Sequence, residues 1–266
     1  MMRLLILFAF LLTASLASAE TVRLAVTTSF HNSGLSDILV PRIKADTGIE
    51  VQLLIVGTGQ ALRLGQSGDV DALLVHSRAA EEAFVASGAG AHRTEIMYND
   101  FVLLGPGDDP AVISQAKTAT EAFKQIAMAQ APFVSRGDDS GTHKKELSIW
   151  KATNLDPGEF DPWYKSVGAS MGASLNTAAG LDAYIMSDRA SWLNFANRGN
   201  LTLLFSGDPV LFNQYAFLPV NAQRHPHVNQ AAVERLEIWL TSDVARSLIN
   251  GYQIQGQPLF IFNADH

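Results

Sequence analysis

Short runs of β-branched and apolar residues alternate with stretches of helical period along most of the chain. Thr21 to Val26 reads as a first strand, and Leu35, Ile38, Leu39 and Ile43 then recur at i, i+3, i+4 and i+8, as on one face of a helix. Gly48 is placed to end that helix, because glycine adopts the left-handed C-cap at no steric cost. Glu50 to Val56 reads as a second strand, running into Gly57-Thr58-Gly59 and a short helix from Gln60 to Leu64. Ala72 to His76 makes a third strand, and Ala79 to Ser87 a helix stopped at Gly88.

Met97 to Leu104 is a strand that leaves this first unit, since the cluster Gly105 to Pro110 behind it is a strong turn signal. A second unit follows, with helices at Thr120 to Ala129, Ser140 to Ala152 and Ala173 to Met186, and strands at Pro132 to Ser135 and Leu201 to Phe205. Tyr215 to Val220 crosses back, and helical patterns at Gln230 to Leu240 and Asp243 to Ile249 rejoin the first unit. Alternating strands and helices predict an α/β fold with mostly parallel sheets flanked by helices. One unit interrupting another, joined by two crossing strands that serve as a hinge, predicts two lobes closing on a cleft. The expected boundaries are residues 20–98 with 216–266 for the first lobe, and 99–215 for the second.

The two ends and the composition narrow the setting. Residues 1–19 open with Arg3, continue through an apolar stretch from Leu4 to Leu12 and finish in Ala17-Ser18-Ala19. That order is the grammar of a cleaved signal peptide, so the expected mature chain starts near Glu20 and is secreted to the periplasm without membrane insertion. Cysteine is absent from the sequence, so disulfides do not hold the fold and no lipidated cysteine stands at the cleavage site. Loss of Arg3 would move the net charge from −7 to −8, which argues against nucleic acid as a partner.

The candidate chemistry lies in three turns of one design, each a strand end followed by Ser, Thr or Gly and a helix start. They are Val26-Thr27-Thr28-Ser29, Val56-Gly57-Thr58-Gly59-Gln60, and Val134-Ser135-Arg136-Gly137-Asp138-Asp139-Ser140-Gly141-Thr142; Gly168 to Ser174 is a weaker fourth. First-turn N–H groups have no partner inside a helix, and the macrodipole adds about half a positive charge there, so helix N-termini bind anions. Hydroxyls contribute uncharged donors, and Arg136 contributes a planar charged fork suited to a multi-oxygen anion. Taken singly, each turn also reads as an ordinary N-cap between strand and helix. Repetition of the design, with an arginine in one copy, is what points to an oxyanion.

The same segments, with Leu74-Val75-His76, Met97 to Val102 and Gly172-Ala173-Ser174-Leu175-Asn176, resemble the successive signature segments of the tungstate-binding periplasmic proteins, across nearly the whole mature chain. The run from Ser135 to Glu146 carries most of that specificity. The resemblance implies a type II periplasmic substrate-binding fold, with tungstate held between the lobes and passed to an ABC transporter permease driven by its ATPase. It also implies a monomer that needs no cofactor and is not an enzyme. Ligand-binding roles fall by this resemblance on Thr28, Ser29, Thr58, Arg136, Ser140, Gly141 and Thr142, and on Gly59, Ser135 and Ser174. Val26 stands where the family commonly has another threonine.

Other ligands and chemistries are weighed beside this one. Molybdate, sulfate and phosphate are the alternative anions, phosphate gaining ground if Asp138 or Asp139 points inward to accept a ligand proton. Otherwise the two aspartates cap the helix or orient Arg136. A secreted serine hydrolase using Ser140 and His143 is the rival from another class, but the segment lacks the G-x-S-x-G elbow. Asp69 with Asp71, and His225 with His227, lack a partner set for a metal site. The four tryptophans read as packing residues.

Overall fold

The computed structural model describes residues 20–264, and the expected signal segment, residues 1–19, lies outside the described residues. The first lobe opens with β1 (Thr21–Thr27), α1 (Thr28–Asn32), α2 (Leu35–Thr47), β2 (Glu50–Val56), α3 (Thr58–Ser67), β3 (Ala72–Val75) and α4 (Arg78–Ala86). The long strand β4 (Thr94–Pro106) then leads to α5 (Ala119–Ala129), β5 (Phe133–Ser135), α6 (Gly141–Thr153), β6 (Tyr164–Ser166), α7 (Met171–Leu181), β7 (Tyr184–Asp188), α8 (Arg189–Asn194) and β8 (Leu201–Phe205). β9 (Phe212–Pro219) returns, followed by α9 (Gln230–Leu240), α10 (Asp243–Gly251) and the short strands β10 (Gln253–Ile254), β11 (Gln257–Pro258) and β12 (Ile261–Phe262).

Strand order along the main sheet is β2-β1-β3-β9-β4-β7-β5-β6, with β8 and β12 also on β4. Thr94 to Asp100 of β4 pair with β9, whereas Phe101 to Leu104 pair with β7, so one strand serves both lobes. Each lobe has a parallel block, β2-β1-β3 in the first and β6-β5-β7 in the second. β4 and β9 join these blocks antiparallel, as the two strands that cross between the lobes.

Both faces of each sheet are covered, as parallel sheets require. Leu24, Val26, Leu74 and Phe217 meet α2, α9 and α10 on one face of the first lobe, and Ala25, Leu73 and Leu218 meet α3 and α4 on the other. In the second lobe Phe101, Phe133 and Met186 pack on Phe123 and Trp150, while Val102, Val134 and Ile185 pack on Leu175 and Trp192. Trp150 sits edge-on to Phe123 at 4.5 Å in an aromatic cluster, and Trp239 donates from Nε1 to Asp46 at 2.9 Å, so these indoles serve the core.

The expected helix from Ala173 to Met186 is two elements. α7 ends at Leu181, Asp182 takes a left-handed φ of 47°, and the fully buried β7 follows. Because Tyr184 to Met186 are apolar on both faces of β7, the sequence there has no alternation to separate it from the helix before it.

Candidate functional site

Helices α1, α3, α6 and α7 begin just beyond the carboxyl ends of β1, β2, β5 and β6, the ends at which open α/β sheets place their ligands. Thr28 of α1, Gly57, Gly59, Gln60 and Arg63 of α3, Arg136 and Asp138 to Ser140 before α6, and Gly168 to Ser170 before α7 line one cavity of about 430 Å³. An adjoining space of about 370 Å³ shares Thr28, Arg136 and Ser170 and adds Ser29, Met171, Gly172 and residues of α8. Four helix starts, two per lobe, therefore face one cleft.

Their caps are unequal. Thr27 Oγ1 accepts from Phe30 N at 3.3 Å and Ser140 Oγ from His143 N at 3.2 Å, so α1 and α6 each spend a hydroxyl on their own first turn. Gly57 before α3 and Ser170 before α7 make no such bond, leaving those first-turn N–H groups without a side-chain acceptor. Thr58 Oγ1, at the first position of α3, is buried with no hydrogen-bond partner; its neighbours Gly57 and Gly59 line the cavity and Thr58 itself does not. An orphaned buried hydroxyl costs about 1 to 3 kcal/mol, which a ligand accepting from it would recover.

Arg136 is 8% exposed and held from two sides, with Nε donating to the Ala169 carbonyl at 3.4 Å and Nη2 paired to Asp138. Asp138 also accepts from Ser140 N at 3.2 Å, so both its oxygens are engaged in orienting the arginine and closing the turn. Asp139 lines the cavity as an exposed carboxylate facing Gly59 and is paired to Lys144, whose ammonium is the main cause holding its carboxyl below the usual range. Arg63 is a second cation in the cavity, bonded through Nη2 to Gln60 Oε1 at 2.8 Å.

The remaining expected residues are spread over two depths. Thr28 is exposed, Ser29 half-buried, and Gly59 and Ser140 line the cavity. Gly141 and Thr142 are buried in the first turn of α6. Ser135 is fully buried at the end of β5, and Ser174 Oγ donates back to the Ser170 carbonyl at 3.0 Å within α7; neither lines the cavity. Val26 is a core residue packed with Leu24 and Phe30, so the threonine missing there removes no donor from the cleft.

Five lining residues escaped the sequence reading of the site. Ser170 is the N-cap of α7, and its position immediately before Met171 was the available signal. Arg63 and Gln60 stand one turn apart on α3 behind Gly59, a spacing that puts them on one face. Ser191 and Asn194 arrive on α8, whose start after β7 could not be read.

The Ser140–His143 pair lacks the geometry of a nucleophile and its base. Ser140 Oγ accepts from the His143 backbone, and His143 Nδ1 instead receives the Asp139 N–H at 3.2 Å. Asp71 takes a bidentate grip on Arg23, and His225 and His227 bond the carbonyls of Gln66 and Gly68, so the residues considered for a metal have structural partners.

Two hinged lobes around a donor-lined cleft define a solute-binding protein. The PBP superfamily domain matches residues 14–244. The tungstate-binding protein TupA of Peptoclostridium acidaminophilum is 44% identical over 248 residues, covering 92% of this chain and 86% of that one. A namesake from Campylobacter jejuni is 35% identical over 242 residues, 89% and 88% of the two chains. Among solved structures, the tungstate-binding protein TupA from Desulfovibrio alaskensis G20 superposes with a TM-score of 0.85 at 42% identity, over 93% of this chain and all of that one. The structure titled as the tungstate ABC transporter from Geobacter sulfurreducens gives 0.79 at 42% identity, over 88% and 99%. This chain belongs to the PBP superfamily and, within it, to the family of tungstate-binding proteins.

Proposed function

We propose that this protein captures tungstate between its lobes in the periplasm and delivers it to an ABC permease and its ATPase, acting as a monomer. The lobes in this reading are residues 20–98 with 216–266, and 99–215. The observation that carries it is the meeting of four helix N-termini, two of them without side-chain caps, around buried Arg136 in one cavity. Such a cage replaces an anion's water with fixed donors. The names of the relatives above support tungstate as the anion.

Both Asp138 oxygens are engaged and the Asp139 carboxylate is paired with Lys144, which favours a fully ionised anion over phosphate, a ligand that needs a free acceptor for its proton. Molybdate has the same charge and nearly the same size, and only competition separates it. The test is thermal unfolding of the purified protein with tungstate, molybdate, sulfate and phosphate. Tungstate at one hundred times Kd stabilises by about 2.7 kcal/mol by linkage. A melting temperature unmoved by all four anions overturns the reading.

A further inference from the structure

His76 follows the last residue of β3 and occupies the seam between the lobes. Its Nε2 lies 3.1 Å from Ser29 Oγ. Its other edge faces Gly141 of α6 in the second lobe, where an added Cβ would come within 2.5 Å of Cε1. The ring also packs on Tyr215 with centroids 4.7 Å apart. Held from both lobes, it is not free to turn away from Ser29.

Burial, above all, lowers the imidazole pKa to about 4, so the ring is neutral at ordinary pH and carries one N–H. The Asn213 side chain and the backbone of His76 itself lie near enough to offset part of that shift, but Nδ1 is shut off from solvent and neither meets it in hydrogen-bonding geometry. A proton on Nδ1 would be a buried donor with no acceptor in hydrogen-bonding geometry, the rarer and costlier kind of orphan. On Nε2 the proton is used, donated to Ser29 Oγ.

That choice decides what Ser29 offers the cleft. A hydroxyl has two lone pairs and one hydrogen. His76 Nε2–H fills one lone pair, and the Tyr215 hydroxyl, 3.4 Å away, is placed to approach the other. The Ser29 hydrogen then has two directions, Thr27 Oγ1 at 3.1 Å or the anion. Bonds to an ionised acceptor are about twice as strong as neutral ones, so the anion takes it.

We infer that His76 is a positioning residue for anion binding, presenting the Ser29 hydroxyl to the cleft as a donor. This rests on the oxyanion reading of the cleft. With Nε2 as acceptor instead, the Ser29 hydrogen would be spent on the ring and its oxygen lone pairs would face a dianion.

The experiment is calorimetric titration of tungstate into wild-type protein, Ser29→Ala, His76→Phe, the double variant and His76→Gln, with ¹⁵N NMR of histidine-labelled wild-type protein. Ser29→Ala and His76→Phe should each weaken binding about tenfold or more, the loss of one hydrogen bond to a charged group. The double variant should bind no worse than either single one, and His76→Gln, which keeps an N–H within reach, should stay within about threefold of wild type. Losses that multiply in the double variant overturn the inference, as does a His76→Gln loss as large as that of Ser29→Ala. Should His76→Phe fail to fold, His76→Gln and the spectrum decide. The spectrum should place the His76 proton on Nε2, and a proton on Nδ1 overturns the inference without any ligand. Absence of tungstate binding by the wild-type protein would instead defeat the reading of the cleft, and the spectrum still decides the tautomer.

Discussion

Arg136→Ala removes the charged fork of the cleft and leaves a carboxylate behind it. The guanidinium has five N–H donors. Ala169 and Asp138 take one each, so about three remain for a ligand. If two of these reach the anion at about 1.5 kcal/mol each, their loss costs about 3 kcal/mol, near a hundredfold in Kd. Asp138 then faces the cleft with its countercharge gone, and it adds repulsion of a dianion to the deficit. The double variant Arg136→Ala with Asp138→Asn should recover part of the loss, because only the repulsive component is relieved. Titration calorimetry of tungstate at fixed ionic strength measures both. A single-variant Kd within threefold of wild type would remove Arg136 from the site, and a double variant weaker than the single would refute the charge argument.

Thr58→Val deletes the orphaned hydroxyl while keeping the shape of the side chain. Urea melts should show unliganded stability equal to or above wild type, while tungstate Kd rises by about tenfold or more, and a loss of both would mean the hydroxyl has a structural partner. Gly141→Ala drives a methyl into His76 and should raise the calorimetric Kd through an overpacked seam costing about 1 to 3 kcal/mol; unchanged affinity would mean that the lobes do not meet there. Glu146 gives a pH test: burial raises its pKa from 4.5 to about 7, so the folded protein holds a proton the unfolded chain has released. Stability from this group falls as pH rises from 4.5 to about 7 and is flat above, a change of about 3 kcal/mol at most. Glu146→Gln should flatten that slope and hold its stability at pH 8, as denaturant melts at pH 5 and 8 would report.

The parts of the site carried by local sequence were legible. Thr28, Thr58 and Gly141 begin helices as the Ser, Thr and Gly turns indicate, because N-cap chemistry acts over three or four residues. Strand β4 extends past the expected Met97 to Leu104 at both ends, and β9 starts three residues before Tyr215, since pairing between distant strands rather than propensity sets those ends. Choosing Ser174 over Ser170 shows where spacing stops helping. Both serines lie beside the same helix start, but only the cap position points out of the helix, and Ser174 returns its proton to the turn below. Arg63 and Ser191 come to the cleft by the way helices pack, which no residue near them announces.

The charge arrangement explains why a net-negative protein can hold an anion. Arg136 is already neutralised by Asp138 before a ligand arrives, so the pair adds little net charge to the cleft. In the proposed site, what would change on binding is the partner of the uncommitted donors: first-turn N–H groups of α3 and α7 and the free side of the arginine fork, with the Thr58 hydroxyl beside them. Their directions are fixed by helix geometry and burial, and fixed donors lose little freedom when an anion replaces water. A site made this way discriminates by the positions of four oxygens more than by total charge. Raising salt should therefore weaken binding only modestly, because screening acts on long-range charge and hardly on contacts inside a closed cleft.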